Sequence, residues 1–214
     1  MARPAGARNQ DYAAKRKALL EAAADYVLRD DVQTPSFRQL SMATGASEPT
    51  LKHYFKSRSG LIIAIIEHFD DLCAPMRAHL QKNFDSIETA LQDYKTFATR
   101  VSEDTNFIRS HVFALRESFL DTDVFQAYIH HLVEPCTQAL AERLVNSPGG
   151  PTDYPSARMA AAQIFANVLF MACRKHLLES GSPYAPDLDQ NFELMTNWLL
   201  YGLVNDPDGA GKPQ

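Results

Sequence analysis

Between Ser36 and Arg58 the chain reads SFRQLSMATGASEPTLKHYFKSR. Its polar members are hydrogen-bonding groups and cations: Ser36, Arg38, Ser47, Glu48, Thr50, Lys52, His53, Tyr54, Lys56 and Arg58, with Pro49 among them. Such a set suits recognition of a polar, anionic partner more than bond making. Their spacing adds a geometric argument. Leu51 and Phe55 are four apart, so on a helix they face one way together. Leu40 and Ala43, one short helix earlier, are expected to pack against them. Glu48, Pro49, Thr50, Lys52 and His53 then turn outward near the start of the second helix. Two short helices joined by a glycine-bearing turn form a helix-turn-helix, whose second helix fits the DNA major groove, about 12 Å wide. Lys56 and Arg58 follow at the start of the next helix, within reach of phosphates.

The elements that must hold this segment are helical. Leu19, Leu20, Ala23, Ala24, Val27 and Leu28 follow the i, i+3/i+4 rule and predict a first helix over about 11–29. Pro35 precedes a helix over 36–44, capped by Ser36; Gly45 supplies the turn, and Ser47 caps a helix over 47–55 with Pro49 in its first turn. Further helical patterns cover about 59–84, 86–101, 103–119, 121–146, 156–180 and 187–204. Pro75 and Pro135 are expected to kink their helices. Turn-rich stretches at 146–155 and 179–187 separate the last three. The fold class is all-α with about nine helices: a three-helix head over 1–58, whose residues 1–10 read as a disordered basic arm, and a larger bundle over 59–204. The tail 205–214 reads as disordered.

Composition narrows the function classes. The 214 residues are 45% hydrophobic, enough for a real core. Cys73, Cys136 and Cys173 lie far apart and form no zinc spacing, so no metal or cofactor is expected. The longest uncharged run, fifteen residues between Arg158 and Arg174, contains Gln163 and Asn167 and reads as too short and polar for a membrane span. The N-terminus lacks the apolar run of a signal peptide, and a cytoplasmic protein is expected. Residues 1–58 hold ten Lys/Arg against six Asp/Glu, a net of +4; residues 59–214 hold eleven against twenty, a net of −9. A basic head on an acidic body points the head at a polyanion. No nucleophile elbow, phosphate loop or zinc-protease motif occurs, and an enzyme is not expected.

Residues 15–69 resemble the DNA-binding head of the tetracycline-repressor (TetR) family. Ser36, Arg38, Leu40, Gly45, Ser47, Thr50, Leu51, Tyr54, Phe55, Lys56 and Leu61 stand at the family's motif positions. The resemblance implies that Arg38 reads a base, the alternative being a surface ion pair. Pro49 and Thr50 touch a thymine methyl or a phosphate, Pro49 alternatively serving only to preorganise its turn. His53 meets base or phosphate, or is merely exposed. Tyr54, Lys56 and Arg58 clamp the backbone, and Ser36 and Ser47 are caps first and phosphate ligands second. The chain departs from the pattern at Lys52, where the family has tyrosine, at Arg58, where it has lysine, and at Asp31-Val32, where a glycine is usual. Glu48 accepts from a cytosine amino group or serves as a first-turn helix charge.

For the rest of the chain the resemblance implies an effector pocket and a dimer interface. Polar groups within apolar runs, His111, Arg116, His131 and Asn167, with Phe113 and Tyr128, are the pocket candidates; a hydrogen-bonded or half-exposed side chain is the alternative for each. Phe107, Phe119, Phe125, Phe165 and Phe170 read as core. The alanine-rich segment 156–180 and the segment 187–204 are the candidate homodimer interface, with ordinary packing within one chain as the alternative. The implied function is a ligand-responsive regulator, a repressor, binding a pseudo-palindromic double-stranded operator as a dimer and released by a small molecule. A helical small-molecule-binding protein that no longer reads DNA is the alternative, and a helical adaptor a third reading.

Overall fold

The computed structural model describes residues 5–178 and 181–201, with side chains from Gln10 onward. Among them every regular element is a helix: α1 (Ala5–Val27), α2 (Phe37–Thr44), α3 (Glu48–Phe55), α4 (Arg58–Leu80), α5 (Ile87–Ser102), α6 (Thr105–Ser118), α7 (Thr122–Tyr128), α8 (Glu134–Asn146), α9 (Tyr154–Cys173) and α10 (Leu188–Tyr201). A π-helical turn, Ile129–Val133, joins α7 to α8, and a second, Arg174–Leu178, extends α9. Counted as continuous rods these are the nine helices the spacing predicts. The first π turn answers Pro135. A proline cannot donate to the preceding turn, and just before it the Glu134 N–H reaches back to the Ile129 carbonyl, five residues away.

Two expectations about the head change. Residues 5–10, read as part of a disordered arm, are the first turns of α1; Ala, Arg and Gln are good helix formers there. Ala43 is exposed, and Ser41 takes the inward place. The buried pair on α2 is Leu40 and Ser41, with half-buried Phe37 and Thr44 completing the i, i+3, i+4, i+7 stripe. The buried Ser41 hydroxyl donates to the Ala46 carbonyl. The expected tail 205–214, and the predicted helix ends at 179–180 and 202–204, lie outside the described residues.

The chain forms two compact units. The first comprises the chain up to His79 together with Arg109–Cys136. Its core runs from Leu19, Ala23 and Val27 of α1 through Leu40, Leu51 and Phe55 to Leu61, Ile65 and Phe69 of α4, and on to Phe113 of α6. Phe69 meets Phe113 edge to face at 6.4 Å between ring centres. The Arg109 guanidinium donates to the Leu28 carbonyl at 3.2 Å and pairs with Asp30. Arg116 reaches the Val32 carbonyl at 3.5 Å. In α4, the Arg77 guanidinium donates to the Asp70 carbonyl and carboxylate in the turn where Pro75 interrupts the ladder.

The second unit comprises Leu80–Ile108 and the chain from Thr137 onward. Leu91, Tyr94 and Ala98 of α5 share its core with Leu140, Ala161, Ile164 and Phe192. Arg143 is buried, yet its guanidinium donates to the Leu80 carbonyl at 2.9 Å and to the Asp93 carboxylate at 2.8 Å, and lies over the Phe84 ring at 4.7 Å. A buried cation is tolerated only with such partners. Along the α5–α10 seam Thr99 donates to Asp189 at 3.0 Å, and Lys95 pairs with Glu193.

Not every aromatic read as core is inside. Phe113 and Tyr128 are buried, but Phe119 is 81% exposed, Phe170 56%, and Phe125 is exposed as well. Phe119 falls just past the end of α6, in the turn into α7.

Candidate nucleic-acid interface

The helix-turn-helix is built by local chemistry at every junction. Ser36 is the N-cap of α2: its hydroxyl accepts from the Gln39 N–H at 3.2 Å, while its own N–H donates to Gln39 Oε1 at 2.8 Å. Gly45 ends α2 with φ +64°, a left-handed conformation suited to a residue without Cβ. Ser47 then caps α3, accepting from the Thr50 N–H at 3.3 Å and sharing a 2.8 Å hydrogen bond with the Thr50 hydroxyl. Pro49 sits in the first turn, where its missing N–H has no carbonyl to serve.

The exit from α3 is tighter. Lys56 has φ +71° and ψ −53°, and the Ser57 N–H donates to the Phe55 carbonyl at 2.8 Å. That is a γ-turn of the strained sense, at a lysine. The following Gly60 is required by proximity: a Cβ there would stand 2.1 Å from the Phe55 carbonyl oxygen. The chain reverses from α3 into α4 within two residues, and Lys56 is held out at the corner.

Leu51 and Phe55 are buried and form the underside of α3. On the other side Pro49, Lys52 and His53 are exposed, and Glu48, Thr50 and Tyr54 half-buried. Arg38 is exposed on α2 and makes no ion pair among the described residues. Ser36 and Ser47 are exposed and already engaged as caps. The sequence spacing thus places Arg38, Pro49, Lys52, His53 and Lys56 in solvent.

Arg58 is the correction. Its Nε donates to the Pro35 carbonyl at 2.9 Å, and its two terminal nitrogens donate to the two Glu117 carboxylate oxygens at 2.8 Å each. Glu117 is 1% exposed. A bidentate pair of this kind is among the stronger polar contacts. Arg58 is therefore a tie between the start of α4, the loop before α2 and α6, not a free phosphate ligand. Next to it the Ser59 hydroxyl donates to Asp121, whose carboxyl is held below its usual range by that bond. Glu117 lies 59 residues from Arg58, so no local pattern could have paired them. Sequence reasoning also passed over Tyr12 and Arg16. On α1 they continue the stripe of Leu19, Ala23 and Val27, and they reach α3: Arg16 stands 5.1 Å over the Phe55 ring, and Tyr12 meets His53 and Tyr54.

The six effector candidates separate. His111 and Phe113 are buried in the first unit with Tyr128, and the His111 ring and Tyr128 hydroxyl share a 3.3 Å hydrogen bond. Burial holds the His111 imidazole down at about 4, so it is neutral at physiological pH. Arg116 instead points its guanidinium at the Val32 carbonyl. His131, in the π turn, lies 3.4 Å from Asp70 and 4.0 Å from Glu67. Asn167 belongs to the second unit and is half-buried. That unit has its own cleft of about 360 Å³, lined by Ile87, Glu88, Leu91, Leu144, Ile164 and Leu199. It lies at the small end of the range for ligand clefts.

On the candidate dimer helices, Ala161 is fully buried within the chain. Met159 and Phe170 of α9, and Leu194, Trp198, Leu199 and Tyr201 of α10, are exposed. The rod Tyr154–Leu178 is, by length and composition, apolar enough to cross a membrane, and less than a third of its most apolar stretch is buried.

No family model matches the chain. Over 100 residues it is 30% identical to the HTH-type transcriptional regulator RutR of Escherichia coli strain K12, and equally to RutR of Shigella flexneri, covering 46% of this chain and 46% of each relative. The chain thus matches about half the length of these curated relatives. Similarity of fold extends further. A structure described as a TetR-family transcriptional regulator from Rhodococcus sp. superposes with a TM-score of 0.64 at 13% identity, covering 87% of this chain and 98% of that one. One from Mesorhizobium loti gives 0.63 at 14%, covering 88% and 96%. The transcriptional regulator FadR from Bacillus subtilis, in complex with stearoyl-CoA, gives 0.62 at 14%, covering 88% and 99%. At such identities the likeness is one of fold: the chain has the fold of TetR-family regulators. These relatives and neighbours are transcription regulators, not enzymes.

Proposed function

We propose that this chain, built on the TetR-family fold, is a DNA-binding transcription regulator. It binds a pseudo-palindromic operator as a homodimer and acts as a repressor released by a small-molecule effector in the cytoplasm. The observation that carries the reading is the two-sidedness of α3. Buried Leu51 and Phe55 hold the helix, while Pro49, Lys52 and His53 stand in solvent, with Arg38 exposed on the neighbouring helix. Arg38 then reads a base, guanine being the usual partner of an arginine in the major groove. Glu48, Pro49, Thr50 and His53 line the approach, and Lys52, Tyr54 and Lys56 meet the backbone. Phosphate contacts of that kind set register and carry no sequence information.

The homodimer is assigned to the exposed faces of α9 and α10. Exposed Phe170 and Trp198 on a soluble chain call for cover. A second copy is a better cover than lipid, because Arg158, Gln163, Asn167 and Arg174 punctuate the α9 rod. Symmetric helix-turn-helix dimers place two recognition helices about 34 Å apart, one DNA turn. An effector acts by favouring one of two conformations, and its leverage is limited to its differential affinity for them. FadR's stearoyl-CoA supports a small-molecule role for this fold, and His111 with Tyr128 is the buried, hydrogen-bonded polar pair among the effector candidates of the first unit.

Selection from random-sequence duplexes tests the reading. The regulator enriches a discrete palindrome, and Arg38→Ala costs about 1–3 kcal/mol on it and relaxes one position. Absence of any enriched sequence would favour a helical small-molecule-binding protein that does not read DNA.

A further inference from the structure

Three rings meet where α1 crosses α3. The Tyr12 ring lies 4.7 Å from Tyr54 at a 33° tilt, and 5.7 Å from His53 edge to face; His53 and Tyr54 are themselves 5.1 Å apart, again edge to face. These are the separations at which aromatic pairs attract. Tyr12 is 38% exposed, and one turn later Arg16 covers the Phe55 ring at 5.1 Å. From there the same stripe of α1 continues into buried Leu19 and Ala23. α1 therefore supports α3 from the core outward, and Tyr12 is the outermost support. Without it His53, an exposed side chain near the end of an eight-residue helix, would keep only the edge of the neighbouring Tyr54 ring. Ordering such a side chain on binding costs affinity, and a side chain already held in place avoids that cost.

We propose that Tyr12 is a positioning residue for DNA recognition: its ring sets the orientation of His53 and Tyr54 before the duplex arrives. The inference rests on the reading of α3 as a recognition helix, and adds to it a residue two elements away in sequence. The contribution comes from the ring face and edge, so phenylalanine suffices at position 12 and an aliphatic residue does not.

The experiment compares wild type with Tyr12→Phe and Tyr12→Leu in the full chain, by two measurements. The first is free of DNA: the imidazole proton resonances of His53, assigned through His53→Gln, report the neighbouring rings. Tyr12→Leu moves them toward the positions of an unstructured histidine, and Tyr12→Phe leaves them near wild type. The second is affinity for the selected operator. Tyr12→Leu weakens it about tenfold, the scale of two aromatic contacts, with an unchanged salt dependence and a thermal midpoint only a few degrees lower; Tyr12→Phe stays within about twofold. Unmoved His53 resonances overturn the proposal whatever the affinity does. So does a moved resonance with unchanged operator affinity. A loss with Tyr12→Phe equal to that with Tyr12→Leu makes the phenol a direct DNA ligand, which also overturns it. Failure of the wild-type chain to select any operator is visible before a variant is made, and it removes the recognition reading itself and this role with it.

Discussion

The exposed face of α3 and the exposed face formed by α9 and α10 present opposite chemistry. The first shows Pro49, Lys52 and His53 over a buried apolar underside, and water serves it well until a phosphate replaces the water. The second shows Met159, Phe170, Leu194, Trp198 and Tyr201. Water serves it badly, and burial of each such side chain is worth about 1.5–3 kcal/mol. The lesson is one of reversibility. A polar face can engage and release its partner at modest cost, and salt tunes it. Exposed aromatic and aliphatic side chains of this size favour standing cover. The scaffolds differ too: α3 leaves through a strained corner at Lys56 and α4 begins at a buried ion pair, whereas no described residue of α9 or α10 has a positive φ.

The largest effect should come from the apolar face. Phe170→Glu combined with Trp198→Glu should weaken the proposed dimer by about 4 kcal/mol or more, two anchor residues at about 2 kcal/mol each, read by sedimentation. A wild type already monomeric, or a variant still dimeric, would break the contrast between the two faces. A charge at Ala161 is no test of it, because that side chain is buried within its own chain.

The second effect separates the units by acid. His111 holds an imidazole at about 4 against 6.5 unfolded. Between those values the unfolded chain takes up a proton that the folded one refuses. Stability is therefore complete above pH 6.5 and falls as pH drops toward 4, by up to about 3 kcal/mol. Hydrogen exchange should show the amides around His111 losing protection first on acidification, and His111→Phe should suppress that slope. Uniform loss across both units would dissolve the distinction.

Next comes the ion pair. Glu117→Ala strands Arg58, and should cost about 2 kcal/mol in denaturant unfolding, less than for a fully buried pair because Arg58 is 30% exposed. Arg58→Ala instead strands the fully buried Glu117 carboxylate, so it should cost more, about 3 kcal/mol, and leave the salt slope of DNA binding intact. A slope reduced by about one would restore Arg58 as a phosphate ligand.

The smallest effect sharpens the head's own character. Lys56→Gly relieves the positive φ and should raise stability by about 1 kcal/mol. It also removes a cation from the DNA side, so the salt slope should fall by about one. Gain of stability with loss of salt sensitivity would show strain kept for the sake of where Lys56 stands.

Much of the architecture was legible because helices announce themselves locally. Ser36, Gln39, Gly45, Ser47 and Pro49 act on residues within one turn, so caps and boundaries around α2 and α3 follow from neighbours in the chain. The outward face of α3 was legible for the same reason: Leu51 and Phe55 four apart fix the underside, and the rest must turn away. Ala43 was misplaced by choosing the wrong partner of Leu40 within one helical stripe, and the helical start at Ala5 by giving weight to polarity over helix propensity.

What periodicity could not supply was which surface meets which. Arg58 has the type and place of a phosphate ligand, and only Glu117, brought back from another helix, shows that its charge is engaged. Phe119 and Phe170 are as apolar as Phe113, and only packing leaves the first two in water. Tyr12 likewise gained its role when α1 crossed α3. Local hydrogen bonding and helical spacing are written within a few residues, so the chain alone determined the helices and the polar edge of α3; contacts between residues tens of positions apart depend on how those helices lie against one another, and that tertiary packing decided which charges are spoken for and which faces are left open.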